Sequence, residues 1–266
     1  MAPQESTGPG QLRGARKQRV DTLLVERDLV KNRARAQALV MAGRVYSGER
    51  QLEKPGQRIA ADAPLTVRGA DHPWVSRGGV KLAHGLDHFR IDVAGRAALD
   101  LGASTGGFTE VLLARGAARV HAVDVGHGQL AWSLRNDPRV VVLERTNARY
   151  LERAQVPEAI EVIVCDVSFI GLEVVLPAAL ALAAPEAVLV ALIKPQFEVG
   201  RGEVGKGGVV RDPALHKKVC ERISRWLDAR PGWRLLGVTE SPLKGADGNR
   251  EFLVAARRGP RAADSA

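Results

Sequence analysis

The chain has 266 residues, 45% of them apolar, which is more than one ordinary domain of about 150 residues needs and enough for a large core. Lys and Arg total 39 against 30 Asp and Glu, and the excess is uneven: residues 1–68 hold 13 basic and 7 acidic side chains, the rest 26 and 23. Such an excess points to a polyanionic partner, either nucleic acid or an acidic membrane surface. Two cysteines exclude a disulfide framework, and neither they nor the six histidines have metal-ligand spacing, so no metal is expected.

Met1 to Arg16 is polar and rich in Gly and Pro, without the apolar run of a signal peptide. Residues 1–17 are therefore expected to be a disordered basic tail, and the reduced cysteines fit a cytoplasmic location. Residues 18–68 read as a small module. Val20, Leu23 and Leu24 have helical spacing. Asn32 is placed to cap a second helix, with Ala36, Leu39 and Val40 as its apolar stripe and Gly43 as its C′ residue. Short strands are expected over 44–46 and, after the Pro55-Gly56 turn, over 65–67. Residues 69–76 read as a linker, and a helical segment follows up to Phe89.

From Ala97 onward strands and helices alternate. Strands are expected over 97–101, 119–124, 140–144, 160–166 and 187–193, then 234–239 and 252–256. Helices are expected over 107–115, 129–136, 171–183 and 213–229. Val162, Ile163 and Val164 run without polar interruption, as in a sheet covered on both faces. This alternation specifies an α/β fold with a doubly wound, mainly parallel, Rossmann-like sheet over 77–258, followed by a flexible tail over 259–266. The apolar stretch from Val174 to Ile193 is interrupted by Pro177, Pro185 and Glu186, so it does not read as a membrane span.

Asp100-Leu101-Gly102-Ala103-Ser104-Thr105-Gly106-Gly107-Phe108 leaves the first sheet strand and opens a helix, whose unpaired N–H groups suit an anionic group. It is not the dinucleotide G-x-G-x-x-G, because Ser104 stands at the second glycine position. The second strand ends in Asp124, where a carboxylate can accept ribose hydroxyls, and the fourth ends in Asp166 at the same sheet edge. S-adenosylmethionine fits these positions, with its carboxylate at the glycine loop, its ribose at Asp124, and its adenine near Val125 and the Asn147-Ala148 loop. Lys194 closes the fifth strand, Lys81 follows Ser76-Arg77-Gly78-Gly79, and Glu251 stands just before the last strand.

Lys81, Asp166, Lys194 and Glu251 stand in the order and context of the K-D-K-E tetrad of FtsJ-like ribose 2′-O-methyltransferases, which the chain resembles. It is most similar to the TlyA family, historically called haemolysin A. The likeness rests on Trp74-Val75-Ser76-Arg77-Gly78-Gly79-Val80-Lys81-Leu82, Asp166-Val167-Ser168-Phe169-Ile170 and Lys194-Pro195-Gln196-Phe197-Glu198-Val199-Gly200. It also rests on Asp100 to Glu110, Gly128-Gln129-Leu130-Ala131-Trp132 and Arg145-Thr146-Asn147-Ala148-Arg149. The resemblance implies methyl transfer from S-adenosylmethionine to a cytidine 2′-hydroxyl in ribosomal RNA of the small subunit, the large subunit or both. It also implies that the first module is a small ribosomal-protein-like RNA-binding domain.

A ribose hydroxyl is a poor nucleophile, so positioning and proton removal should dominate the chemistry. Lys194 is then the expected general base or steering group and Asp166 its partner, with Lys81 and Glu251 holding the hydroxyl and each other. Arg19, Arg33, Arg35 and Arg44 are candidates for phosphate contacts, which position RNA without reading its sequence. Three competing readings are a membrane-active haemolysin, a non-catalytic RNA-binding protein on a methyltransferase-like fold, and an S-adenosylmethionine enzyme that acts on a base, which would not need two lysines.

Overall fold

The structure is a computed structural model and describes residues 17–27, 29, 30, 32–67, 72–245 and 248–259. The expected tails over 1–17 and 259–266 lie outside the described residues, except that Lys17 belongs to a strand and Gly259 is described. The chain divides into two compact units, Met1–Pro73 and Trp74–Ala266.

In the first unit, β1 (Lys17–Arg19) leads directly into α1 (Val20–Glu26). Helix α2 (Arg33–Met41) begins at Asn32, whose side chain accepts a hydrogen bond from the Arg35 N–H at 2.9 Å. It ends in a Schellman motif: Gly43 N–H donates to Val40 and Arg44 N–H to Leu39, with Gly43 at φ +67°. Strands β2 (Val45–Ser47), β3 (Arg50–Gln51) and β5 (Thr66–Val67) form an antiparallel sheet in the order β3-β2-β5. Strand β4 (Arg58–Ala60) pairs with β1 instead. Val20, Leu24, Ala36, Leu39, Val40, Val45 and Leu52 close the core of this unit.

The second unit is one seven-stranded sheet with helices on both faces. Its elements run α3 (Arg77–His88), β6 (Ala97–Leu101), α4 (Gly107–Ala114), β7 (Arg119–Val123), α5 (Trp132–Arg135), β8 (Val140–Leu143) and β9 (Ile160–Cys165). There follow α6 (Leu172–Ala181), β10 (Ala183–Ile193), α7 (Pro195–Glu198), α8 (Pro213–Asp228), β11 (Trp233–Glu240) and β12 (Phe252–Arg258). The strand order is β11-β12-β10-β9-β6-β7-β8. Neighbours from β8 to β10 are parallel, while β12 runs antiparallel to both β10 and β11. Trp74 and Val75, at the end of the expected linker, pack on the core of this unit.

Strands β1, β3 and β4 and helix α7 were not expected, and two expected elements change length. Strand β10 begins at Ala183, four residues before the expected start, because Ala183 pairs with Ile160 before an irregularity carries the register to Val188. Helix α5 shrinks to four residues, since Ala131 N–H is taken by the Thr105 carbonyl of the glycine loop. Among the described residues no helix is long and apolar enough to cross a membrane.

The period of two along each strand decides what faces the site. Leu99, Ile163, Cys165, Ala191, Ile193 and Val254 point toward α6 and α8. Ala98, Val162, Val164, Val190, Leu192 and Leu253 point toward α3, α4 and α5. Continuing that alternation past the strand ends puts Asp124, Asp166, Lys194 and Glu251 on the α3 side, with Asp100 beneath them.

Candidate active site

Strand order reverses between β6 and β9, and ligands of open α/β sheets bind in the crevice outside the carboxyl ends of the strands at such a switch point. The first of these loops is Gly102 to Gly107. Gly102 has φ +82°, and a Cβ there would lie 2.6 Å from the Asp166 carbonyl oxygen. Only glycine lets the two loops approach this closely. Ser104 and Thr105 are exposed on the loop, and Gly107 starts α4.

Asp124 accepts the Ser104 N–H at 2.8 Å and the Gly126 N–H at 2.6 Å, one on each oxygen. Each oxygen keeps a second acceptor position, as a ribose diol requires. An amino-acid group at the α4 N-terminus and a ribose at Asp124 therefore fit the donors and acceptors that are present. Val125 is exposed, and the Asn147 side chain accepts the Arg149 N–H at 3.1 Å. Phe108 and Ala148 turn their side chains into the core, so any cofactor contact from them is through the main chain.

Asp100 is fully buried beneath the loop, with Thr109 Oγ1 donating to it at 2.6 Å. Burial, with smaller contributions from Asp166 and Asp124 and opposition from Thr109, pushes its carboxyl up to about 7. Cys165, next to the site but buried among apolar side chains, is pushed up to about 12 and is no nucleophile at neutral pH.

The four tetrad residues form two ion pairs. Lys81 Nζ donates to Glu251 Oε2, and both side chains are almost wholly shielded from water. Lys194 Nζ lies 2.7 Å from Asp166 Oδ1, with side-chain exposures of 12% and 19%, so Asp166 is the most open of the four. The backbone brings the pairs together. Ile193 of β10 faces Phe252 of β12 in antiparallel register. The next residues, Lys194 and Glu251, therefore stand opposite each other on one face. On the other side, a Cβ built at Gly78 would lie 3.6 Å from Asp166 Oδ2, and Lys81 is one helical turn further along α3. Lys81 and Glu251, 170 positions apart in the chain, are thus paired on the same face as Lys194 and Asp166.

Three neighbours escaped the sequence reading as site residues. Ser168 Oγ accepts a hydrogen bond from Lys194 Nζ at 2.9 Å. Phe169 is 89% exposed at φ +66°, its ring resting 4.9 Å from that of Phe197. Glu198 holds the start of α6 by accepting the Leu172 N–H at 2.8 Å, and it pairs with Arg222 at 2.7 Å. Burial raises its carboxyl despite these partners. A polar or aromatic residue within four positions of a strand-end carboxylate or lysine was the available signal for all three.

The candidate RNA-contacting residues lie in the first unit. Arg19 forms a two-pronged contact with the buried Asp21 at 2.9 and 2.8 Å, and Arg33 Nε and Gln37 Nε2 each reach the same carboxylate at 3.0 Å. Two of the four arginines therefore also serve an internal network. Arg35 flanks the α2 N-cap and Arg44 closes its C-terminal turn.

A family model described as FtsJ-like methyltransferase matches residues 74–258. The chain is 51% identical over 241 residues to the 16S/23S rRNA (cytidine-2'-O)-methyltransferase TlyA of Mycobacterium tuberculosis, covering 90% of each chain. It is 39% identical to the Hemolysin A of Brachyspira hyodysenteriae, covering 89% of this chain and 98% of that one. The solved structure of a "Putative hemolysin from Streptococcus thermophilus" superimposes with a TM-score of 0.71 at 40% identity, over 91% of this chain and 89% of the other.

Proposed function

The chain belongs to the FtsJ-like methyltransferase family, and from that premise we propose that it transfers a methyl group from S-adenosylmethionine to the ribose 2′-hydroxyl of a cytidine in ribosomal RNA. The observation that carries this reading is the pairing of Lys194 with Asp166 at the mouth of the switch-point crevice, backed by the buried Lys81–Glu251 pair.

Ser104, Thr105 and the start of α4 would hold the amino-acid end of the cofactor and Asp124 its ribose. When bound, S-adenosylmethionine supplies an electrophilic methyl on a positively charged sulfur. Asp166 draws the Lys194 amino group to the crevice by charge, and Lys194 in its neutral form would accept the proton that the 2′-hydroxyl gives up on methylation. The Lys81–Glu251 pair is shielded from water and acts as a rigid wall that sets where the ribose can sit. Phe169 offers an exposed ring face beside the crevice on which an unpaired base can stack. The basic first module would dock the RNA through phosphate contacts from Arg19, Arg33, Arg35 and Arg44.

The decisive experiment is transfer of radiolabelled methyl to purified ribosomal subunits, with the 2′-O-methyl position mapped, for the wild type and Lys194→Ala. Lys194→Ala is expected to lose about 10²- to 10⁴-fold in transfer, the usual contribution of a positioned acid or base, while still binding S-adenosylmethionine. Near-normal transfer by the variant would overturn the role given to Lys194.

A further inference from the structure

The structure assigns Ser168 as a positioning residue that fixes the direction in which Lys194 meets the ribose hydroxyl, an inference that rests on the methyl-transfer reading above. A lysine amino group has three positions around its nitrogen, and a hydrogen bond at one of them sets the rotation about the last bond and so the direction of the other two. Asp166 Oδ1 lies 2.7 Å from Nζ and attracts it by charge, but it accepts no hydrogen bond from it. Ser168 Oγ, 2.9 Å from the same nitrogen, accepts the hydrogen bond that sets this rotation. The two remaining positions are then fixed in space, one of them an N–H in the charged form or a lone pair in the neutral one.

The local backbone explains why residue 168 can do this. Val167 packs into the core on the α6 side of the sheet. The strand-like alternation past Cys165 therefore turns both Asp166 and Ser168 the other way, toward Lys194. Phe169, at φ +66°, then reverses the chain, so Ser168 is the last residue that can face the lysine before the loop departs. The charged groups set around Lys194 are Asp166 in contact, Asp100 buried behind it, and the Lys81–Glu251 pair across the strand register. Among these only Asp166 contacts Nζ directly, so the neutral hydroxyl of Ser168 adds direction without adding charge.

The test compares Ser168→Ala and Ser168→Thr with the wild type and Lys194→Ala, in the full chain, on purified ribosomal subunits. Ser168→Ala is expected to lower kcat about tenfold, the order of one hydrogen bond to a charged group. KM for the subunits and binding of S-adenosylmethionine should stay unchanged. Ser168→Thr, which keeps the hydroxyl at an exposed position, should recover kcat to within about threefold, corresponding to well under 1 kcal/mol. Wild-type kcat in Ser168→Ala overturns the assignment, as does equal loss in both variants or a loss confined to KM or cofactor binding. Absence of transfer by the wild type itself overturns the methyl-transfer reading and this assignment together, which separates the two failures.

Discussion

Asp21 and Asp100 are both cut off from water, and their carboxyls shift in opposite directions. The Arg19 guanidinium, opposed by burial and helped by Gln37 and Arg33, holds Asp21 well below the usual carboxylate range. A depressed folded value means that Asp21 contributes stability above the unfolded value of about 4 and loses it as pH falls further. Asp21→Asn should therefore weaken the first module by about 1–3 kcal/mol at neutral pH, read as faster amide exchange in α1 and α2. Unchanged exchange would mean that the network is ornamental. For Asp100, burial raises the folded value to about 7 with only Thr109 in partial opposition. The unfolded chain then loses this proton near pH 4 while the folded chain keeps it, so stability from this group falls as pH rises from about 4 to about 7. Asp100→Asn, which still accepts from Thr109, should remove that slope and protect β6 and α4 amides by roughly 2–4 kcal/mol at pH 8. An unaltered slope between pH 4 and 7 would contradict the assignment.

At the scale of elements, the glycine loop after β6 matters for where it leaves Asp166 as much as for what it binds. Gly102 combines φ +82° with a 2.6 Å approach of any Cβ to the Asp166 carbonyl. Gly102→Ala therefore has to push the β9 loop away from β6. It should cost about 1–3 kcal/mol through its strained backbone and reduce methyl transfer through the displaced Asp166. Full activity in this variant would show that the loop spacing is not critical. The alternating strands were legible because their apolar runs are buried on both faces, as at Val162, Ile163 and Val164. Strand β1 was not, because Lys17, Gln18 and Arg19 have no apolar alternation and are held by pairing with β4. The antiparallel direction of β12 also leaves no mark in composition. That direction sets Glu251 opposite Lys194. The pairing of Lys194 with Asp166 and of Lys81 with Glu251 was readable, but the strand register that puts both pairs on one face was not. Ser168 lay inside a motif that had been singled out; its role depended on a lysine 26 positions away.

At the scale of the whole molecule, the uneven charge becomes a statement about RNA affinity. The first 68 residues carry 13 basic and 7 acidic side chains, and phosphate neutralisation by such a module makes binding fall steeply with salt. The four candidate arginines should not contribute alike. Arg19 and Arg33 already contact Asp21, so Arg19→Ala removes a fold-stabilising partner as well as a charge, and its loss of affinity should be accompanied by loosened α1 and α2 amides. Arg44 stands in the turn that closes α2, where its main chain completes the helix end without its side chain. Arg44→Ala should therefore leave the module's amide exchange unchanged while reducing the slope of log affinity against log salt by about 1, the signature of one lost phosphate contact. Anisotropy titrations with labelled ribosomal RNA from about 50 to 200 mM salt would measure both variants, over a range in which six or more contacts cost about 10³-fold in affinity. A flat salt dependence of the wild type would remove the docking role from the basic module. An unchanged slope in Arg44→Ala would move the phosphate contacts elsewhere on the chain.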